Sequence, residues 1–311
     1  YEESGKTLSQ TSYMNWDNRP LYTKVADAKS FTNIYAMYNT SKGYSYSLSL
    51  SAAKHFAFGL DLNASYTFTH SESVSSMTSS VAQSNWRNTH TYRFSNNPEL
   101  ANSGYNVPHT VKASAFYHFN WGTNKLFTTT VGLIYQGQSG SPYSLVYSGD
   151  VNGDNGTSND LIFIPTDAQV DQMQFLGTDA YTAEQQRANL KQWLATTRYV
   201  KDHRGEYFER YGDNLPFESH FDFHFGQKFG IRTGKYVHAL ELTLDIMNVA
   251  NLLNKDWGRT FGSGYNSEII SPITYKGDGV FQFANPSDMP LKYPSSYYSR
   301  WRGQVGLKYT F

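Results

Sequence analysis

The sequence predicts an all-β fold: a transmembrane antiparallel β-barrel with long loops and one short loop helix. Three observations carry this expectation. Seven segments show clean period-two alternation, their connections alternate between short and long, and Tyr, Phe and Trp gather at the segment ends.

The segments are taken in order. Residues 43–51 set Tyr44, Tyr46, Leu48 and Leu50 on one face against Ser45, Ser47, Ser49 and Ser51. Residues 58–69 oppose Phe58, Leu60, Leu62, Ala64, Tyr66 and Phe68 to Asp61, Asn63, Ser65 and Thr67. Residues 111–119 alternate Val111, Ala113, Ala115 and Tyr117 with Lys112, Ser114 and His118, and Phe116 is the exception. The apolar face of 127–135 is Phe127, Val131, Leu133 and Tyr135. From 217 onward, Phe221, Phe223, Phe225 and Phe229 oppose His220, Asp222, His224 and Lys228. Leu240, Leu242, Leu244 and Ile246 then oppose Glu241, Thr243 and Asp245. The chain closes with Trp301, Val305, Leu307, Tyr309 and Phe311 against Arg302, Gln304 and Lys308. Each segment is roughly as long as the ~9–11 residues with which a tilted strand crosses hydrocarbon. Residues 7–16 are read as an eighth, weaker strand.

Residues 54–57, 120–124 and 230–234 read as tight turns, whereas 70–108, 140–216 and 250–299 are loops of roughly 40 to 80 residues, which compact soluble domains rarely contain. Short turns at one rim and long loops at the other are the rule in an outer-membrane barrel. A soluble β-sandwich alternates as well, but its strands are typically about five or six residues long. The aromatic ends here fit girdles at two membrane interfaces.

Composition narrows the function. The 311 residues carry 26 basic and 26 acidic side chains, so no basic field exists to hold nucleic acid. There is no Cys, hence no disulfide framework and no thiolate chemistry. Aromatics at 16% argue against disorder. No apolar run reaches the length of a membrane-spanning helix.

The central loop, placed at 139–216, holds Asp150, Asn152, Asp154, Ser158 and Asp160, with oxygen-bearing side chains at alternating positions. It fits either of two arrangements. One is a calcium site, since Ca2+ takes six to eight oxygens; Asn155 then stands where the loop turns sharply, and Leu161 replaces the usual final Glu. The other is a loop rich in Asx turns that hydrogen-bonds its own backbone. Thr182 and Gln185 form a capping box opening a short helix, whose stripe contains Leu190, Trp193 and Leu194. Residues 199–211 mix both charge signs and read as a salt-bridged loop base. His220 and His224 share one polar face and either line a lumen or bind a metal. Tyr143, Tyr147, Tyr181 and Trp193 are candidate ligand contacts. No nucleophile elbow, zinc-helix motif or phosphate loop is present, so no catalytic residue is assigned.

Several segments resemble one family. Ser148-Gly-Asp-Val-Asn-Gly-Asp154 with Asn159-Asp-Leu-Ile-Phe-Ile-Pro165 is similar to a loop of TonB-dependent receptors of Bacteroidetes, the Oar-like branch with a carboxypeptidase-regulatory-like domain. So are Asn39-Thr-Ser-Lys-Gly-Tyr-Ser45, Pro216-Phe-Glu-Ser-His-Phe-Asp222, Asp245-Ile-Met-Asn-Val-Ala-Asn-Leu-Leu-Asn-Lys-Asp-Trp-Gly258 and the end of the chain. The resemblance implies a plugged barrel of about 22 strands, of which this chain is about the last eight. It implies an outer membrane of a Gram-negative bacterium, extracellular loops, a periplasmic C-terminus, and Phe311 as the assembly signal. It also implies contact with membrane lipid, energised uptake through the TonB complex by way of a plug and TonB box that precede Tyr1, and surface lipoprotein partners. A receptor-like barrel that scaffolds an outer-membrane complex, or a surface adhesin, is the alternative.

Overall fold

The computed structural model describes residues 1–25, 34–122, 125–263, 269–286 and 292–311. Seven long strands dominate it: β1 (Tyr44–His55), β2 (Leu60–Ser73), β3 (His109–Trp121), β4 (Phe127–Gln138), β5 (Glu218–Thr233), β6 (Tyr236–Met247) and β7 (Arg302–Thr310). All seven expected strands are present. They pair consecutively and antiparallel, β1 at one edge and β7 at the other, in a single meander. Register holds without a bulge along each ladder, from His55 opposite Asp61 to Tyr44 opposite Glu72 in the first pair.

The alternation in the sequence becomes two faces. Leu48, Leu50, Leu242, Val305 and Leu307 stand exposed on the apolar face, as in a sheet that meets lipid rather than a protein core. The polar face carries its own cross-strand ties, among them Ser49 to Thr67 at 2.9 Å, His118 to Thr130 at 3.1 Å and His224 to Asp245 at 2.6 Å. Phe116 has a local reason for breaking the alternation. Its ring lies on the polar face over Gly132, where a Cβ would meet it at 2.4 Å.

Aromatic belts flank the apolar band. Near the tight turns, Trp121 and Phe127 are 4.9 Å apart and Phe127 meets Phe229 edge-on at 5.9 Å. At the opposite end Tyr135 packs 4.8 Å from Phe221 and Tyr44 stacks near Tyr46.

The turns sit slightly later than expected. β1 continues to His55, and the chain reverses over 56–59, with Gly59 at φ +99 and within 2.8 Å of His118 through a backbone hydrogen bond. β5 continues to Thr233, leaving Gly234 and Lys235 as the hairpin loop. Of the expected turn at 120–124, Thr123 and Asn124 lie outside the described residues, as do 264–268 and 287–291 of the last loop.

The eighth strand expected at 7–16 does not form. Glu2–Thr7 pairs instead with Pro20–Thr23 as a small hairpin, and Leu8–Thr11 is one helical turn. Gln10 closes a capping box on Thr7, while Leu8 and Met14 bury in a core away from the wall. Apolar spacing in 7–16 reflects that burial, not a sheet face.

That core lies in the long connections. Pro142–Ser148, Ile269–Tyr275, Val280–Phe283, Gln174–Phe175 and Asp213–Asn214 form a second, five-stranded sheet. Its central contact, Pro142–Ser148 beside Ile269–Tyr275, is parallel and joins two different loops. The expected helix spans Ala183–Thr196, with both halves of the Thr182/Gln185 capping box in place. Among the described residues five shorter helices accompany it where a single loop helix was expected, including Asp167–Gln172 behind a second capping box. Every residue of the buried apolar cluster belongs to these connections or to the N-terminal hairpin. We call this assembly the cap.

A charge placed on the apolar face should therefore be costly and one on the polar face tolerated. Leu242→Arg is expected to destabilise the protein in lipid vesicles by about 2–4 kcal/mol, against about 0.5 or less for Asn63→Arg, measured by denaturant unfolding.

Candidate functional site: the cap and the polar face below it

The cap is built by apolar burial. Val146, Ile162, Ile164, Leu190, Leu194 and Ile273 are fully shielded from solvent. Gln186, also buried, ties the helix to the sheet. Its amide donates to Leu176 O at 2.8 Å, and its carbonyl accepts from Phe283 N at 2.9 Å.

Tyr143 and Tyr147, two of the candidate ligand contacts, are buried in the core of the cap. The segment from Tyr143 to Tyr147 is buried on both strand faces. Tyr147 packs 5.6 Å from Phe281, and the Tyr143 hydroxyl donates to Asp213 at 2.9 Å. Desolvation raises both phenols above their ordinary value, so both stay neutral, and the Tyr147 hydroxyl accepts from Phe163 N at 3.3 Å. Trp193 is half-buried, 5.8 Å from Phe283, and Tyr181 is half-buried with its hydroxyl accepting from Asn285. Two of the four are thus core residues and two are half-buried. The wall's Phe311 ends β7 almost fully exposed.

The 150–160 loop folds around its own carboxylates. Asp150 accepts from Gly153 N at 2.7 Å and Asn155 N at 2.8 Å, and Asp154 accepts from Gly156 N at 2.7 Å. Asn155 takes φ +72, the left-handed turn that Asn tolerates. This is the Asx-turn arrangement. Ser158 turns away, donating to Thr157 O. Asp160 is buried, accepts from Val151 N at 2.8 Å, and faces the Arg19 guanidinium at 3.5 Å. Among the described residues, no three His, Asp or Glu side chains gather at a spacing that could hold a metal ion. Burial pushes the Asp150, Asp154 and Asp160 carboxyls upward, opposed by their N–H donors and, at Asp160, by Arg19.

The mixed-charge stretch is partly the salt-bridged base expected. Arg204 reaches Asp167 and Arg198 reaches Asp213, each at 2.6 Å. Arg210 departs from that pattern. It is buried and donates to the carbonyls of Ser73, Val74 (2.7 Å) and Glu99 (3.2 Å), which clamps two loops together. Beside it His90 is buried, hydrogen-bonded to Ser144 at 2.8 Å, and lowered to about 3 by burial with help from Arg210. Between them lies a polar hollow of about 20 Å³, room for one water.

Below the cap, His220 contacts Thr260 at 3.1 Å and His224 contacts Asp245, so both histidines line the polar face in ordinary pairs. Toward the turns, Asp61 lies between His55 (2.5 Å) and His118 (3.5 Å). The spacious hollows of the wall are grooves over small residues. One, of about 410 Å³, sits on the apolar face over Ala52, Ala64, Ala113 and Ala115.

Sequence reasoning missed the buried cap strands and the Arg19 and Arg210 clamps. The run Tyr143–Tyr147 did carry a signal, since short apolar runs mark strands buried on both faces, whereas the equally apolar Leu161–Ile164 is buried with isolated bridges and no strand. Nothing local marks which arginine is buried.

The family described as outer membrane beta barrel domain matches residues 4–269, most of the chain. No curated protein and no solved structure is found to match it.

Two outcomes follow for the cap. Leu190→Ala is expected to cost about 2–5 kcal/mol of cap stability, read as faster hydrogen exchange over the second sheet with the wall unchanged. His90 is neutral when folded and has a lowered pKa, so unfolding takes up a proton below its unfolded value of about 6.5. Cap protection should hold above pH ~6.5 and decline toward pH 4, by up to about 1.4 kcal/mol per unit; His90→Gln should flatten that decline.

Proposed function

We propose that this chain, which belongs to the outer membrane beta barrel domain family, supplies wall and cap of a TonB-dependent receptor that takes up a substrate across the outer membrane. Membership sets the setting. The protein is an outer-membrane barrel protein, its apolar face meets lipid, and its polar face meets an aqueous or protein-filled interior.

One observation carries the receptor reading. The N-terminal hairpin and the three long connections all gather at one end of the wall and fold together there, while the connections at the other end span two to five residues each. In an outer-membrane barrel the long connections face outward. The cap is then extracellular and the C-terminus periplasmic, the arrangement of a barrel that captures a ligand outside.

Strand parity supports a longer wall. β1 and β7 both run from the cap end to the turn end, because five strands, each antiparallel to the next, lie between them. Pairing them directly would be parallel, so antiparallel closure needs an odd number of further strands. An even-stranded receptor barrel of about 22, less the seven here, leaves such an odd remainder. The resemblance of the loop segments points to the same family of receptors, and the plug and TonB contact belong to its other parts.

The full-length protein is expected to cross-link to the periplasmic domain of TonB in intact cells, and protease added outside should cut within 139–217 but not in β1–β7. Absence of the TonB cross-link, with the barrel correctly assembled, would favour the scaffold alternative and contradict transport. Removing Phe311 should lower the amount assembled in the outer membrane severalfold, measured by heat-modifiable migration.

A further inference from the structure

We propose that Arg19 is the built-in cation of the 150–160 loop, so that docking of the N-terminal hairpin, and not a metal ion, orders that loop. The acidic spacing of the loop calls for positive charge, and the fold supplies it from a distant part of the chain.

The geometry is specific. The Arg19 side chain is fully buried, as are those of Asp17 and Asp160. Its Nε lies 3.0 Å from both Asp17 oxygens, Nη2 donates to Leu161 O at 3.0 Å, and Nη1 faces Asp160 Oδ1 at 3.5 Å. Nη1 and that Oδ1 have no hydrogen-bond partner of their own, so what joins them is charge. Tyr147 and Tyr207 cover the guanidinium at 5.0 and 5.6 Å, and the Tyr207 hydroxyl donates to Asp17 at 2.7 Å.

The same hairpin grips the loop at a second point. Tyr22 N donates to Asn152 O at 2.8 Å, and a Cβ on Gly153 would meet Tyr22 O at 2.8 Å. Leaving Asp160 buried and unpaired would be strongly unfavourable, since a buried charge without its partner keeps the full desolvation penalty. The loop is therefore coupled to the hairpin through one ion triad.

The full-length protein in vesicles tests this by limited proteolysis within 150–160, with heat-modifiable migration reporting the wall independently. Calcium or chelator should change wild-type cleavage less than about twofold, whereas Arg19→Met should raise it by about tenfold or more. Combining Arg19→Met with Asp17→Asn and Asp160→Asn removes the charge imbalance and should return cleavage to within about threefold of wild type. Unchanged cleavage in Arg19→Met, a triple variant as labile as the single one, or protection of the wild type by calcium would each overturn the proposal. Should Arg19→Met fail to assemble, the triple variant decides alone.

Discussion

In hydrocarbon no water can satisfy a backbone N–H or C=O, so every such group of a spanning strand must bond to a neighbouring strand. That requirement shapes the wall. Consecutive strands pair in ladders of nine to twelve residue pairs, the register carries no bulge in any of the six, and side chains are left with only the task of matching two solvents. Leu, Val and aromatics meet lipid; Ser, Thr, Asn and His meet the interior. The wall needs no apolar core, and among the described residues it contributes none to the buried apolar cluster.

The cap answers a different physics. It sits where water is available, so its backbone can turn freely and its stability comes from burying Val146, Ile162, Leu190 and their neighbours. It then buries charge at two points, Arg19 against Asp17 and Asp160, and Arg210 against loop carbonyls. Both arginines join segments far apart in sequence. Such contacts specify how the loops assemble more than they add stability, because desolvation offsets much of the attraction.

This division explains what the sequence could disclose. The wall strands were legible almost to the residue because two solvents impose period two on each strand by itself. β4 alternates Val131 and Leu133 with Thr130 and Gly132 whatever its neighbours are. The helix at Ala183–Thr196 was legible because Thr182 and Gln185 cap it locally. The cap sheet was not, since Pro142–Ser148 finds its parallel partner Ile269–Tyr275 in another loop. The burial of Tyr143 and Tyr147 was hidden for the same reason. Residues 7–16 misled because Leu8 and Met14 bury at a spacing that also fits a strand. At 150–160 the acidic spacing disclosed a need for hydrogen bonds and positive charge but not their source, which is backbone N–H and, on our proposal, Arg19.

The central claim is that one face of the meander meets lipid and the other does not. The chain has no native Cys, so single cysteines along β4 can carry a fluorophore and be exposed to a quencher dissolved in the bilayer. Labels at Val131, Leu133 and Tyr135 are expected to be strongly quenched, and labels at Thr130, Ile134 and Gln136 weakly. Uniform quenching along the strand, or none, would contradict the barrel wall described above.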